Sequence, residues 1–319
     1  MESTRILITG VSGFIGSNIA RRFIGKNYEV YGITRKQTAN WRLDDIKDQM
    51  NIVNGDVTAY HRLLDIMGTV KPDGIIHCSQ YGAYPKELST DRLYSINLTG
   101  AFNVVRSASQ HSVRWLINSG SCFEYGKSTG KLSEKEGCRP ASIYGTFKCL
   151  STNLVSQFSS ISKIRTITLR IFQAYGPYEV KGRLVPYVLY SLIKGERISL
   201  KTPNLKRDFV FTEDVTRAFE QSIEIVEDLD QNEIINIGTG DSTSIVNLVR
   251  IAKNVTRSGS TIDYGNHAEK PEDDLGKLEA DITKAQRVIG WSPRYGLKDG
   301  LRIYSEWMKD RLEFYRTQR

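Results

Sequence analysis

The sequence predicts an α/β protein, a doubly wound parallel sheet with a second, smaller α/β lobe. Three observations predict it. Short β-rich runs alternate with helix-like runs from the start of the chain to about residue 171, a glycine-spaced loop joins the first strand to the first helix, and the rhythm then breaks into shorter pieces. Strands that alternate with helices need right-handed crossovers, which leave the strands parallel and helices on both faces. At 319 residues the chain is long enough for about two domains.

Each element has its own signal. Arg5–Thr9 (RILIT) is an apolar run ended by Gly10, and residues 13–26 read as a helix. Glu29–Thr34 is a strand, Ile52–Gly55 a shorter one, and Ala59–Val70 a helix stopped by Pro72. Gly74–Cys78 is a strand, Leu93–His111 a helix and Arg114–Ser119 a strand, followed by a helix over Tyr144–Ser160 and a strand over Arg165–Ile171. Beyond 171, Val185–Lys194 is a helix entered through Pro186. Helices at Glu213–Glu227, Ile245–Val255 and from Leu297 follow, with a strand at Ile234–Ile237. The expected division is a dinucleotide-binding domain over 1–171, rejoined by about 208–243, and a second lobe over most of 172–319.

Composition narrows the class. Hydrophobic residues at 39% and charged residues at 25%, without a low-complexity tract, exclude a disordered, collagenous or coiled-coil chain. No apolar run approaches the roughly 20 residues of a membrane span, and the start of the chain passes straight into a strand pattern, so the expectation is a soluble, cytoplasmic protein. Cys78, Cys122, Cys138 and Cys149 show no paired spacing and the four histidines are scattered, which points to free thiols and no metal site. The sequons at Asn97 and Asn254 carry no weight in a chain that is not secreted. The net charge of +8 is concentrated: residues 161–210 hold ten basic and three acidic residues. With no nucleic-acid-binding motif, this local excess fits an anionic small ligand better than RNA or DNA.

Gly10, Gly13 and Gly16 stand between the first strand and the first helix in ILITGVSGFIGS. Glycines there allow a tight turn and close approach of backbone to a pyrophosphate, with the amides of the helix start, around Phe14 and Ile15, facing the anion. The strand–loop–helix setting points to nucleotide binding rather than an ordinary glycine turn. The second strand ends in Thr34-Arg35 where an NAD enzyme would place a carboxylate on the ribose; a guanidinium can grip a 2′-phosphate, so the expected cofactor is NADP(H) rather than NAD. Asp56 and Val57, after the third strand, are expected beside the adenine. Tyr144 and Lys148 share one helix face at i, i+4, where an ammonium can lower a phenol toward useful acid–base range. They follow Ser119-Gly120-Ser121, at the end of the fifth strand, on the side where such sheets bind ligands.

In order along the chain, TGVSGFIG, IIHCSQYGAY, INLTGAFNV, GSCFEYG, Tyr144/Lys148, RIFQAYGP, RDFVFTEDV and IGWSP resemble the extended short-chain dehydrogenase/reductases that act on nucleotide sugars. The resemblance covers almost the whole chain. It implies Ser121 as the hydroxyl on the reacting sugar oxygen, Tyr144 as acid/base, and Lys148 as holder of the nicotinamide ribose that also tunes Tyr144. It implies that Cys78, Ser79, Asn97 and Ile171 line the cofactor. For the substrate it implies Tyr84, Phe123, Gln173, Arg183 and Leu184, with Arg207 and Lys270 on the diphosphate; Gln173 replaces the family's usual asparagine. It also implies a homodimer, paired through the helices at 93–111 and 144–160, although Phe102, Val105, Leu150, Leu154 and Phe158 on them fit a core equally well.

Dehydratases of that family carry an acid two residues before the tyrosine of the Tyr-Gly pair. Here Phe123 stands there, after Cys122, with Glu124 one place off. Dehydration is disfavoured. The expected reaction is NADPH-dependent reduction of a 4-keto group on a nucleoside-diphosphate-linked 6-deoxyhexose, on Arg35 and on a likeness of YGITR, IIHCSQYGAY and GRLVPYVLYSLIKG to CDP-abequose and CDP-paratose synthase-type reductases. The alternative is an NAD-dependent nucleotide-sugar 4-epimerase; a non-catalytic NADP-binding sensor or RNA-associated protein ranks below both. Sugar selection would rest on the pocket around Tyr84, Tyr178, Tyr187 and Leu200.

Overall fold

The computed structural model describes residues 3–35, 40–82, 89–200, 202–230, 232–264 and 276–317. Its centre is a seven-stranded sheet of β1 (Thr4–Thr9), β2 (Tyr28–Thr34), β3 (Asn51–Asn54), β4 (Gly74–His77), β5 (Trp115–Ser121), β6 (Arg165–Ile171) and β7 (Glu233–Ile237). The spatial order is β7-β6-β5-β4-β1-β2-β3, and every neighbouring pair is parallel. Strand order reverses at β1, between β2 on one side and β4 on the other. That switch point opens a crevice at the carboxyl ends of the strands.

The strands are apolar because both faces are covered. In β1, Ile6 and Ile8 pack on one face and Leu7 on the other, the two-residue period of a strand. The first face is covered by α1 (Phe14–Phe23), through Ile19, Ala20 and Phe23, and from later in the chain by Val215 and Phe219. The second takes α2 (Tyr60–Val70), α3 (Gly100–Ser109) and α4 (Ile143–Ser162), through Leu63, Ile66, Val104, Val105 and Val155. The edge strand β3 has mostly exposed side chains and two asparagines, a poor template for pairing with another chain.

The helix expected over 93–111 is not uniform. Thr90–Arg92 is a helical turn, Leu93–Thr99 is wound as a π-helix and only then does α3 begin. Wide turns of this kind are frequent at functional sites, and Asn97 sits in this one.

The second lobe has a separate core around Leu189, Ile198, Phe209, Phe211, Leu248, Leu301 and Tyr304. It is built on α5 (Leu184–Lys194), α6 (Thr212–Ile225), α7 (Ile245–Thr256), α8 (Thr283–Ile289), α9 (Leu297–Lys309) and α10 (Leu312–Thr317), of which α6 and α8 serve the main sheet. Two-stranded pairs such as Gln173–Tyr175 with Phe209–Phe211 connect the lobes. Leu200, Tyr178 and Tyr187 are spent on packing: Leu200 is in this core, the Tyr178 hydroxyl donates to Asp45 Oδ2 at 2.8 Å, and Tyr187 Oη accepts from Ser199 N at 3.1 Å. Among the described residues no helix is long and apolar enough to cross a membrane.

Candidate active site

The glycine loop is shaped by contacts that leave no room for side chains. Gly10 has φ +69°, and a Cβ there would lie 2.6 Å from Ser79 N and 2.7 Å from the Cys78 carbonyl carbon. A Cβ on Gly16 would lie 2.4 Å from Gly10 O. Gly13 N donates to Gly10 O at 2.9 Å, and Gly13 caps α1 without any side-chain hydrogen bond. The first-turn amides, those of Phe14 and Ile15 included, therefore face the crevice at the positive end of the helix dipole. This cradle fits a diphosphate held by backbone.

Beneath it, the ends of β1 and β4 are pinned together. Thr9 Oγ1 lies 2.8 Å from His77 Nδ1, Cys78 N donates to Thr9 O at 3.1 Å, and Ser79 N donates to Thr9 Oγ1 at 3.4 Å. Burial pushes the His77 imidazole down to about 3, helped by the charge of Lys148, and pushes the Cys78 thiol up to about 12. The floor is thus electrically neutral. Farther out, Gly55 N donates to Thr34 O, Asp56 Oδ1 accepts from the amide and hydroxyl of Thr58, and Val57 is buried. Arg35 is exposed directly beyond the end of β2.

Asn97 spends both ends of its amide on one residue: Oδ1 accepts from Tyr81 N at 2.7 Å and Nδ2 donates to Tyr81 O at 2.9 Å. It therefore acts on the crevice by holding the loop after β4, which carries Ser79 and Gln80. The wide helical turn is what brings this buried side chain under that loop.

The reactive groups meet at the end of β5. Ser121 closes the strand and caps a short turn, Cys122–Glu124, its Oγ accepting from Phe123 N at 3.3 Å. Ser142 caps α4, accepting from Gly145 N at 3.1 Å, which sets Tyr144 in the first turn. The Tyr144 hydroxyl donates to Gln80 Oε1 at 3.1 Å, and the Phe123 ring stands edge-on to it with centroids 6.0 Å apart. Burial holds the Tyr144 phenol above its ordinary range; the nearby Arg183 guanidinium and a hydrogen bond with Ser121 pull the other way.

Lys148 is 4% exposed and donates to Ser119 O. Burial lowers its ammonium, while Glu124 and Cys78 raise it. The i, i+4 spacing suggested that Lys148 would pull Tyr144 down. Arg183 is the largest downward pull on Tyr144, and Lys148 is tied to a strand-end carbonyl, because a buried ammonium must find an acceptor. Glu124, on the same turn as Phe123, points away beneath the strand: Oε1 accepts from Ser121 N at 2.8 Å and Oε2 from Arg170 Nε at 2.8 Å.

The second lobe brings its cations to the same edge. Arg183 is the N-cap residue of α5, with Leu184 after it half-buried on the lobe's core. Arg207 is buried, donates to the carbonyls of Lys206 and Gly276 at 2.7 and 3.0 Å, and acts on Cys122. Gln173 N donates to Asp208 O at 2.9 Å, and Ile171 ends β6 beside Ile237. Tyr84 and Lys270 lie outside the described residues. Sequence reasoning missed Gln80, which has no motif of its own; its only signal is its place two residues beyond Cys78.

A parallel sheet of this order, with a backbone anion cradle at its switch point, defines a Rossmann-type nucleotide-binding protein. The chain belongs to the NAD dependent epimerase/dehydratase family, whose profile matches residues 6–238. It is 24% identical over 331 residues to a UDP-glucose 4-epimerase of Lactobacillus helveticus, across 98% of this chain and 99% of that protein. Its fold matches the crystal structure of a UDP-glucose 4-epimerase from Thermotoga maritima with UDP-glucose, at a TM-score of 0.86, 22% identity and coverage of 97% and 100%. A dTDP-glucose 4,6-dehydratase from Bacillus anthracis in complex with NAD matches at a TM-score of 0.88 and 18% identity, over 99% and 100% of the two chains.

Proposed function

We propose that the protein is a nucleotide-sugar 4-epimerase that works on a retained NAD. The observation that carries this reading is the end-to-end likeness to proteins named as 4-epimerases, on a chain that brings Ser121, Tyr144 and Lys148 together at the carboxyl end of β5. It moves the choice from the 4-ketoreductase to the alternative, and from NADP(H) to NAD. A uridine-diphosphate hexose is the first substrate class, with Arg183 and Arg207 supplying positive charge at the edge where its diphosphate would lie.

The glycine cradle and the Gly13-capped start of α1 fit a nicotinamide dinucleotide, which when bound supplies the uptake and return of a hydride at the sugar carbon. Tyr144 then takes the proton from the carbon-4 hydroxyl and returns it, and Ser121 donates a hydrogen bond to the same oxygen. Lys148 holds the strand end beneath them and keeps a positive charge in the dry interior. Elimination of water has no proton donor here: Phe123 occupies the acid's position and the carboxylate of Glu124 is committed beneath the strand. Tyr94, Leu150 and Ile161 are exposed on the Leu93–Thr99 turn and α4 at 58%, 45% and 82%, while Leu154 and Phe158 pack on the core, so that face suits pairing of two copies.

One observation favours the second reading, NADPH-dependent 4-ketoreduction: Arg35, exposed at the end of β2, where a 2′-phosphate would sit. The test is to denature the purified protein, identify the released nucleotide, and assay interconversion of UDP-glucose and UDP-galactose without added cofactor. Released NAD with interconversion supports the epimerase. Absence of both, with NADPH consumed by a nucleotide-linked 4-keto-6-deoxyhexose, establishes the reductase.

A further inference from the structure

Below the reactive groups lies a buried ion pair that the reaction as described does not use. Glu124 is fully buried and the Arg170 side chain is 3% exposed. Glu124 Oε1 accepts from Ser121 N at 2.8 Å and from Thr152 Oγ1 at 3.1 Å, and Oε2 accepts from Arg170 Nε at 2.8 Å. One carboxylate thus joins the end of β5, the middle of α4 and β6. It lies close under the strand, 3.0 Å from where a Cβ on Gly120 would be. The segment it holds carries both Ser121 and the Ser119 carbonyl that Lys148 grips.

Buried ion pairs contribute little net stability, since desolvation offsets most of the attraction, so a pair placed here calls for another role. We propose that Glu124 is a positioning residue of the reaction, locking the Ser119–Ser121 strand end to α4 and supplying the buried negative charge against which Tyr144 and Lys148 operate. The proposal rests on the reading of Tyr144 as the group that moves the proton.

The charges around it give the sign. Glu124 faces Arg170 from β6, Lys148 and Cys149 from α4, and Cys122 on its own turn. Tyr144 is faced by Arg183 at the start of α5, by Cys122 and by Glu124, and Lys148 by Cys78, His77 and Glu124. Glu124 favours the protonated form of both Tyr144 and Lys148. Besides Glu124, the Arg170 guanidinium meets the Tyr125 ring at 4.5 Å and Cys138 Sγ at 3.0 Å. Removing the negative charge therefore eases loss of the proton from both groups, and unbalancing Arg170 acts in the same direction.

Glu124→Gln keeps an oxygen for Ser121 N and discards the charge. The Tyr144 phenolate is followed by its ultraviolet difference band during an alkaline titration, with the corresponding Tyr144→Phe protein as the reference. The midpoint should fall, since Glu124 raises this phenol, and the limb of the kcat profile that reports the same ionisation should move with it. Glu124→Asp, which retains the charge, should return the midpoint toward that of the native protein. If Glu124→Gln does not fold because Arg170 is left unpaired, Glu124→Gln/Arg170→Met removes that strain and should show a fall in the same direction, smaller because the Arg170 charge is gone as well. An unmoved Tyr144 midpoint in a folded Glu124→Gln or double variant, however low its activity, would overturn the proposal and leave Glu124 as scaffold. The titration needs no turnover, so a native protein without epimerase activity would defeat the proposed function separately.

Discussion

Tyr144 is where burial and charge compete most directly. Its phenol is closed in, and the loss of water outweighs the pull of Arg183 and Ser121, so it must give up its own proton before it can take one from the sugar. Tyr144→Phe removes only the hydroxyl, with its bonds to Gln80 and Ser121. Turnover should fall by about 10²–10⁴-fold while the melting temperature stays within a few degrees of the native protein; activity within tenfold of native would remove Tyr144 from the proton path. The pairing of Tyr144 with Lys148 on one helix face was legible from spacing alone. Their partners were not, because Gln80, Arg183 and the Ser119 carbonyl arrive from three other segments of the chain.

Two elements shape the crevice, the glycine loop with α1 and the wide helical turn at Leu93–Thr99. Gly16 lies inside α1, yet a side chain there meets Gly10 O at 2.4 Å. Gly16→Ala should cost about 1–3 kcal/mol of stability and weaken dinucleotide binding at least tenfold, read by calorimetry with NAD; unchanged affinity would remove the loop from the cofactor site. The glycine spacing announced this loop in the sequence. The wide turn was invisible, since its residues read as ordinary helix and only the Asn97–Tyr81 pairing gives it a purpose. Asn97→Ala leaves the Tyr81 amide and carbonyl without those partners, at about 1–3 kcal/mol. Hydrogen exchange at the Tyr81 amide should quicken markedly, and unchanged protection would show that another contact holds the loop.

Across the whole molecule, one cluster connects the glycine loop, the turn after β2, the second lobe and the C-terminal helix. Arg42 donates to Tyr178 O at 2.8 Å and Ser12 O at 3.2 Å, Tyr315 Oη donates to Glu179 O at 3.1 Å, and the Tyr304 and Tyr315 hydroxyls are 2.8 Å apart. At its centre Glu179 is 4% exposed, and among the described residues its Oε2 has no hydrogen-bond partner. Burial raises its carboxyl from 4.5 to about 8, against the pull of Arg183 and Arg42. The folded protein therefore holds this proton more tightly than the unfolded chain. The resulting stability is fully present below pH 4.5 and is lost as pH rises through about 8. Glu179→Gln cannot titrate, so its melting temperature should match the native protein at the acid end and exceed it progressively toward pH 8. A gap that stays constant across that window would mean that Glu179 does not carry this proton.

What the sequence determined by itself was local or periodic: the alternation that makes the sheet parallel, the glycine spacing of the anion loop, the Tyr144–Lys148 face, and the absence of an acid at Phe123. Each depends on residues close together in the chain, so each leaves a pattern there. The tertiary structure alone decided which charge acts on Tyr144, where the Lys148 ammonium is held, and that Glu124 lies beneath the strand while Glu179 is sealed between the lobes. Those outcomes depend on burial and on partners far away in the chain, and water is excluded from these groups only once the sheet, its helices and the second lobe have closed around them.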